Sequence, residues 1–153
     1  MITLKESIEI ASSPKEVFDW FRNLDKNYPA WHPDHIKWTF EEGFREGAHC
    51  RYEERLHGDL HKARAMLVRV EDDRLIEFRH FFPMSVVCPG GSFLIERTAN
   101  GSLFTATLTF RAGRLFSMLA GRRVESVKRH MKEESQNLKR TMERTASTIS
   151  SLV

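Results

Sequence analysis

"RRVESVKRHMKEESQNLKRTMERT", residues 122–145, decides the fold. It lies within a longer stretch, 115–148, that has no proline and a single glycine, Gly121. Val124, Val127, Met131, Leu138 and Met142 recur at helical spacing and form one apolar stripe. The spacing predicts one long C-terminal helix, with a bend or restart near Gly121. Such a helix needs a large apolar surface to lie on, and a curved sheet supplies one.

The chain upstream provides the strands for that sheet. "ITLKESIEI" (2–10) alternates apolar and polar residues and reads as the first. It is followed by "SSPKEVFDWFRNL" (12–24). There Ser13 is a good N-cap, Pro14 suits the first helical position and Glu16 completes a capping box. Phe18, Phe21 and Leu24 make this helix amphipathic, and the prolines of "DKNYPAWHP" (25–33) are expected to end it. Six further strands follow: "HIKWTF", "HCRYEERLHG", "LHKARAMLVRV", "RLIEFRHFF", "GSFLIERT" and "LFTATLTFRA". Gly58-Asp59 and Asn100-Gly101 are hairpin signals between them. The expected fold is α+β: a seven-stranded, strongly curved antiparallel sheet wrapped around the C-terminal helix, with short helices after the first strand. Residues 1–153 read as one domain.

Composition narrows the function classes. The chain has 24 Lys and Arg against 21 Asp and Glu, a net charge of +3 that is too small to imply a nucleic-acid partner. Arg122, Arg123, Lys128 and Arg129 could touch phosphates or anionic lipid, but a solvated face laced with i to i+4 pairs is the expected reading. No apolar run reaches the ~20 residues of a membrane span. The N-terminus lacks the basic start and apolar run of a signal peptide, so stable membrane association is not expected and a cytoplasmic location is. Cys50 and Cys88 lack metal spacing and read as buried reduced thiols. Eleven phenylalanines suit either a core of large side chains or the lining of an apolar pocket.

One charge breaks the apolar stripe of the long helix. Glu134 stands between Met131 and Leu138 where a hydrophobic residue is expected, with His130 one turn away. The strand "HCRYEERLHG" has a matching irregularity. Cys50, Tyr52, Glu54 and Leu56 share its apolar face, and Glu54 is the one charged member. Two carboxylates and a histidine are therefore expected to point into one interior. "YPAWHPDH" (28–35) offers His32 and His35; His35 begins a strand and can face inward, and His32 remains the alternative. Two imidazoles and two carboxylates suit zinc, and would also suit iron or manganese.

The order of elements resembles the helix-grip superfamily of polyketide cyclases, START-like lipid-binding domains and the birch-pollen allergen family. Within it, "WHPDHI", "YEERLHG", "PGGSF" and "HMKEE" are similar to the metal-dependent branch that includes diacetylphloroglucinol hydrolase. That resemblance implies a zinc site of two histidines and two glutamates, which falls on His35, Glu54, His130 and Glu134. It does not carry over the substrate.

Two functions follow as expectations. The first is a metal-dependent hydrolase acting on a small apolar or aromatic ketone or ester, with Tyr52, His57 and His61 as candidate acid-base groups. By strand alternation His57 points outward, which counts against it, and His80 in "RHFFP" reads as structural. The second is a non-catalytic carrier for a lipid, polyketide or aromatic ligand. The pair Gly90-Gly91 lacks the lysine and helix of a phosphate loop and reads as a bulge or close backbone approach at the cavity wall.

Overall fold

The computed structural model describes residues 1–56, 58–111 and 113–152, with the backbone alone for Leu56, 114–123 and 145–152. His57 lies outside the described residues.

Seven strands form one antiparallel sheet: β1 (Ile2–Ile10), β2 (His35–Phe40), β3 (His49–Leu56), β4 (Asp59–Glu71), β5 (Leu75–His80), β6 (Gly90–Thr98) and β7 (Gly101–Phe110). Their order is β1-β7-β6-β5-β4-β3-β2, so a meander from β2 to β7 is completed by β1 pairing back on β7. Ladder irregularities between His35 and Lys37, and between Leu67 and Arg69, add local bend and twist. The helix α3 (Arg114–Leu152) lies against the sheet, clipped to β1 where Lys139 donates to the Glu9 carbonyl (2.9 Å).

The apolar stripe predicted for α3 is the face it buries. Met131, Leu138 and Met142 are in the core, and Val124 and Val127 pack at its margin. The helix runs unbroken through Gly121, without the restart expected there. One helical residue of low propensity costs only about 1 kcal/mol, which the packing of a long helix overrides.

The segment after β1 forms the short helices expected there, α1 (Pro14–Arg22) and α2 (Leu24–Trp31), divided at Asn23. The Asn23 side chain donates to the Asp19 carbonyl (2.9 Å) and closes α1, while its own carbonyl accepts from Lys26 and Asn27 and opens α2. Pro29 does not end α2, because in eight residues it removes only one backbone bond. At the start of α1 the Ser13 hydroxyl accepts from the Glu16 amide (3.2 Å) and donates to the Glu16 carboxylate (3.2 Å), a variant of the expected capping box.

The hairpin between β6 and β7 is shifted by one residue. Thr98 pairs with Gly101, so Ala99 and Asn100 make the turn. Gly101 then begins β7 at φ 152°, where a β-carbon would sit 2.3 Å from the Ile10 carbonyl. Gly90 and Gly91 mark a close backbone approach as expected: a β-carbon on Gly90 would lie 2.2 Å from the Phe78 carbonyl oxygen.

The phenylalanines divide between both expected roles. Phe18 and Phe21 are buried in the core, whereas Phe78, Phe93, Phe104 and Phe110 line a cavity between the sheet and α3. Cys50 and Cys88 are free and buried, and burial raises their thiols to about 12 and about 11, so both are protonated and unreactive. On the outer face of α3, Lys128–Glu125 is a close pair, as expected of a solvated surface, whereas the Lys139–Glu143 pair lies at the edge that meets β1. Among the described residues, no helix is long and apolar enough to cross a membrane.

Candidate functional site

The site begins at the turn from α2 into β2. The amide of His35 donates to the His32 carbonyl (3.0 Å), with Pro33 and Asp34 between them. Trp31 fixes this turn against α3: its indole N–H donates to the Glu134 carbonyl (3.0 Å), and the Asn137 side chain donates to the Trp31 carbonyl (3.1 Å). On the other side, His35 is paired directly with Glu54 in the β2–β3 ladder. Three separate elements thus deliver His35, Glu54, His130 and Glu134 to one place.

The hydrogen bonds of His35 define what it offers. Its Nδ1 lies 3.1 Å from the Tyr28 carbonyl, which can only accept, so Nδ1 carries the proton. The Nε2 lone pair then faces Glu134 Oε2 at 3.3 Å and Glu54 Oε2 at 3.9 Å. The Tyr28 ring stacks on the imidazole at 3.9 Å and 3° and holds its plane. Burial lowers the His35 pKa to about 4, so the ring is neutral at pH 7.

His130 approaches Glu134 Oε1 through Nε2 at 3.3 Å, and Asp34 Oδ2 lies 4.0 Å from its Nδ1 on the outer side. Burial lowers its pKa also. The carboxyls of Glu54 and Glu134, with side chains only 14% and 16% exposed, are both pushed up to about 7. Burial is the main cause for each, and the charge of Glu134 adds to it at Glu54. Tyr28 donates to Glu54 Oε2 (3.2 Å) and orients it.

These groups are nearly all acceptors facing one another. A bare imidazole nitrogen 3.3 Å from a carboxylate oxygen repels unless a proton or a cation lies between them. The donor atoms of His35, His130 and Glu134 all lie within 4.8 Å of one another. The arrangement can do two things chemically: share protons near neutral pH, or hold a divalent cation with nitrogen and carboxylate ligands. The donor types and spacing of His35, His130 and Glu134 fit the second use, while Glu54 stands outside that group, 3.9 Å from His35 Nε2.

His32, the alternative, is engaged differently. Its Nδ1 accepts the Asp34 amide (3.0 Å), which leaves the proton on Nε2 to be donated to Glu133 Oε2 (2.7 Å). With Asp34 and His130 it also forms a second group whose ligand-type atoms lie within 4.8 Å of one another. Its ring lies 4.1 Å from that of His130 and supports it. The hydrogen bond from His32 lowers the pKa of Glu133.

Of the candidate acid-base groups, Tyr52 lines the cavity and donates to His80 Nε2 (2.6 Å). His61 pairs with Glu54 in the β3–β4 ladder but is not among the described residues that line the cavity. Sequence reasoning missed Tyr28, which both orients His35 and holds Glu54. His80, read as structural, is buried and hydrogen-bonded to the Cys88 carbonyl (2.8 Å), and it also lines the cavity.

The cavity has a volume of about 570 Å³. Its walls are Phe78, Phe93, Phe104, Leu108 and Phe110 from the sheet, with Val127 and Met131 from α3, and the His–Glu cluster belongs to the same lining.

The sequence model of the polyketide cyclase/dehydrase and lipid transport family matches residues 1–143. No curated protein sequence matches the chain. Among solved structures, the di-domain aromatase/cyclase StfQ of the steffimycin biosynthetic pathway superposes with a TM-score of 0.74 at 15% identity, over 95% of this chain and 52% of StfQ. The chain therefore spans about half of that two-domain protein. The ZhuI aromatase/cyclase from Streptomyces sp. R1128 gives 0.72 at 15% identity, over 95% of both chains. TTHA0849 from Thermus thermophilus gives 0.73 at 12% identity, over 94% of this chain and 99% of that one. At these identities the likeness is one of fold.

Proposed function

The chain belongs to the polyketide cyclase/dehydrase and lipid transport family, and from that membership we propose that it binds a small apolar or aromatic molecule in the cavity between the sheet and α3. The observation that carries this reading is the cavity itself. Its volume of about 570 Å³ falls within the range of small-molecule sites, and its walls are aromatic and aliphatic with a few polar groups among them.

The test is titration with N-phenyl-1-naphthylamine, whose fluorescence rises in an apolar site. Saturable one-to-one binding is expected, and Ala106→Trp, which places an indole in the cavity from β7, is expected to weaken it at least tenfold with the fold retained by circular dichroism. Equal binding by both proteins, or none by either, overturns the reading.

The His–Glu cluster favours a second reading, in which the cavity is also a metal-dependent hydrolytic site. His35, Glu54, His130 and Glu134 would hold the cation, zinc by preference, with iron or manganese also suited to the donor set. When bound, the ion would polarise a ketone or ester carbonyl and lower the pKa of water. The chain's own groups prepare the site: Tyr28 fixes the His35 tautomer and the Glu54 orientation, and Asp34 and His32 support His130. The apolar walls exclude bulk water around the bound molecule.

A further inference from the structure

Away from the His–Glu cluster, the cavity wall carries a polar group of different character. Tyr52 on β3 and His80 on β5 lie on strands separated by β4, yet the Tyr52 hydroxyl is 2.6 Å from His80 Nε2. They meet because β4 presents two alanines inward at that level. Tyr52 is paired with Ala63, and His80 with Ala65. A larger side chain at either position would stand between them.

The direction of this hydrogen bond is fixed. His80 Nδ1 donates to the Cys88 carbonyl (2.8 Å), and burial keeps the ring neutral by lowering its pKa. Nε2 is therefore an acceptor and the Tyr52 hydroxyl must donate to it. The proton of Tyr52 is committed, while its oxygen keeps lone-pair capacity. Beside it, the Trp38 ring is stacked on Tyr52 (5.1 Å, 10°) and holds its plane. The wall thus offers an acceptor. A hydroxyl group can donate to it, whereas an ether or ketone oxygen cannot.

We propose that Tyr52, held by His80 and flanked by Trp38, is a hydroxyl-recognition subsite, so that the molecule the cavity takes is a phenol or enol. The assignment rests on the cavity being a ligand site, and the experiment separates the two. The probes are 2-naphthol and 2-methoxynaphthalene, which share a ring system and differ in hydrogen-bond donation. Each is titrated by calorimetry into the wild type, Tyr52→Phe and His80→Leu.

The wild type is expected to prefer 2-naphthol by about tenfold, the size of one net hydrogen bond. In Tyr52→Phe the preference disappears. In His80→Leu the Tyr52 proton is released to donate, and the methoxy compound gains relative to the naphthol. Equal affinity of the two probes for the wild type overturns the subsite and leaves the cavity reading intact; this needs no variant. A preference that survives Tyr52→Phe belongs to the Glu54–Glu134 cluster and also overturns it. Binding of neither probe overturns the cavity reading, and the subsite with it.

Discussion

On the metal reading proposed above, glutamine in place of Glu134 is expected to lower zinc affinity by about 100-fold or more while making the metal-free protein more stable above pH 7. The first effect follows from removing an anionic ligand, since even outer-shell partners of a metal site are worth roughly 10–100-fold. The second follows from the direction of the Glu134 pKa, which burial raises from 4.5 to about 7. A carboxyl raised on folding holds its proton more tightly in the native state. Its contribution to stability is complete below the unfolded value near 4.5 and is lost as pH rises through about 7. Above that pH the folded chain must carry a buried charge, and glutamine does not.

Glu54 shifts in the same direction, and His35 in the opposite one. A histidine lowered to about 4 contributes stability that is present above its unfolded value near 6.5 and lost as pH falls towards 4. Between about 4.5 and 6.5 the two kinds of group oppose each other. Above 6.5 only the carboxylate slope remains. Thermal melts in chelator should therefore show the wild type losing about 1–2 kcal/mol between about pH 6.5 and 8, and Glu134→Gln losing less. Zinc at about 100 times its Kd should restore about 2.7 kcal/mol to the wild type alone. A Glu134→Gln protein that is less stable than wild type at about pH 8 would mean that the carboxylate is neutralised within the fold and has no need of a cation.

The stripe of α3 made Glu134 legible, because a charge at a core position of a long helix stands out against Met131 and Leu138. Alternation along β3 did the same for Glu54. These patterns are local, and local periodicity survives in a single sequence. Tyr28 and His80 were not legible. Tyr28 acts on His35 through its backbone carbonyl and on Glu54 through its hydroxyl, and neither contact leaves a periodic trace. Its place on α2 was further obscured by Pro29, which reads as a helix terminator. His80 reaches Tyr52 only because the β3–β4 and β4–β5 registers set two alanines between them. Register between strands is a tertiary property. What distinguishes His32 from His35 likewise lies in the hydrogen-bond partners of both nitrogens of each ring, which are tertiary.

Phe21→Ala is expected to destabilise the protein by about 3–5 kcal/mol, and Phe78→Ala by much less, although the same atoms are removed. Phe21 on α1 is 1% exposed and lies at the centre of the aromatic core. Its ring stacks on Phe93 (4.8 Å) and Phe104 (5.3 Å) and meets Trp31 edge-on (5.3 Å). Truncation there opens a void in close-packed surroundings that can collapse only partly. At roughly 2–4 °C per kcal/mol for a chain of this size, the melting temperature should fall by about 6–20 °C. Phe78 instead lines the cavity, so one side of its ring already lacks packing partners in the free protein. Removing it widens an existing space and forfeits fewer contacts. The ordering reverses for ligand: Phe78→Ala should weaken N-phenyl-1-naphthylamine binding more than Phe21→Ala does at a temperature where both are folded. Chemical denaturation and probe titration on the two variants measure both quantities. Equal destabilisation by the two would mean that the space beside Phe78 closes in solution, and that the sheet packs directly on α3 when no ligand is held between them.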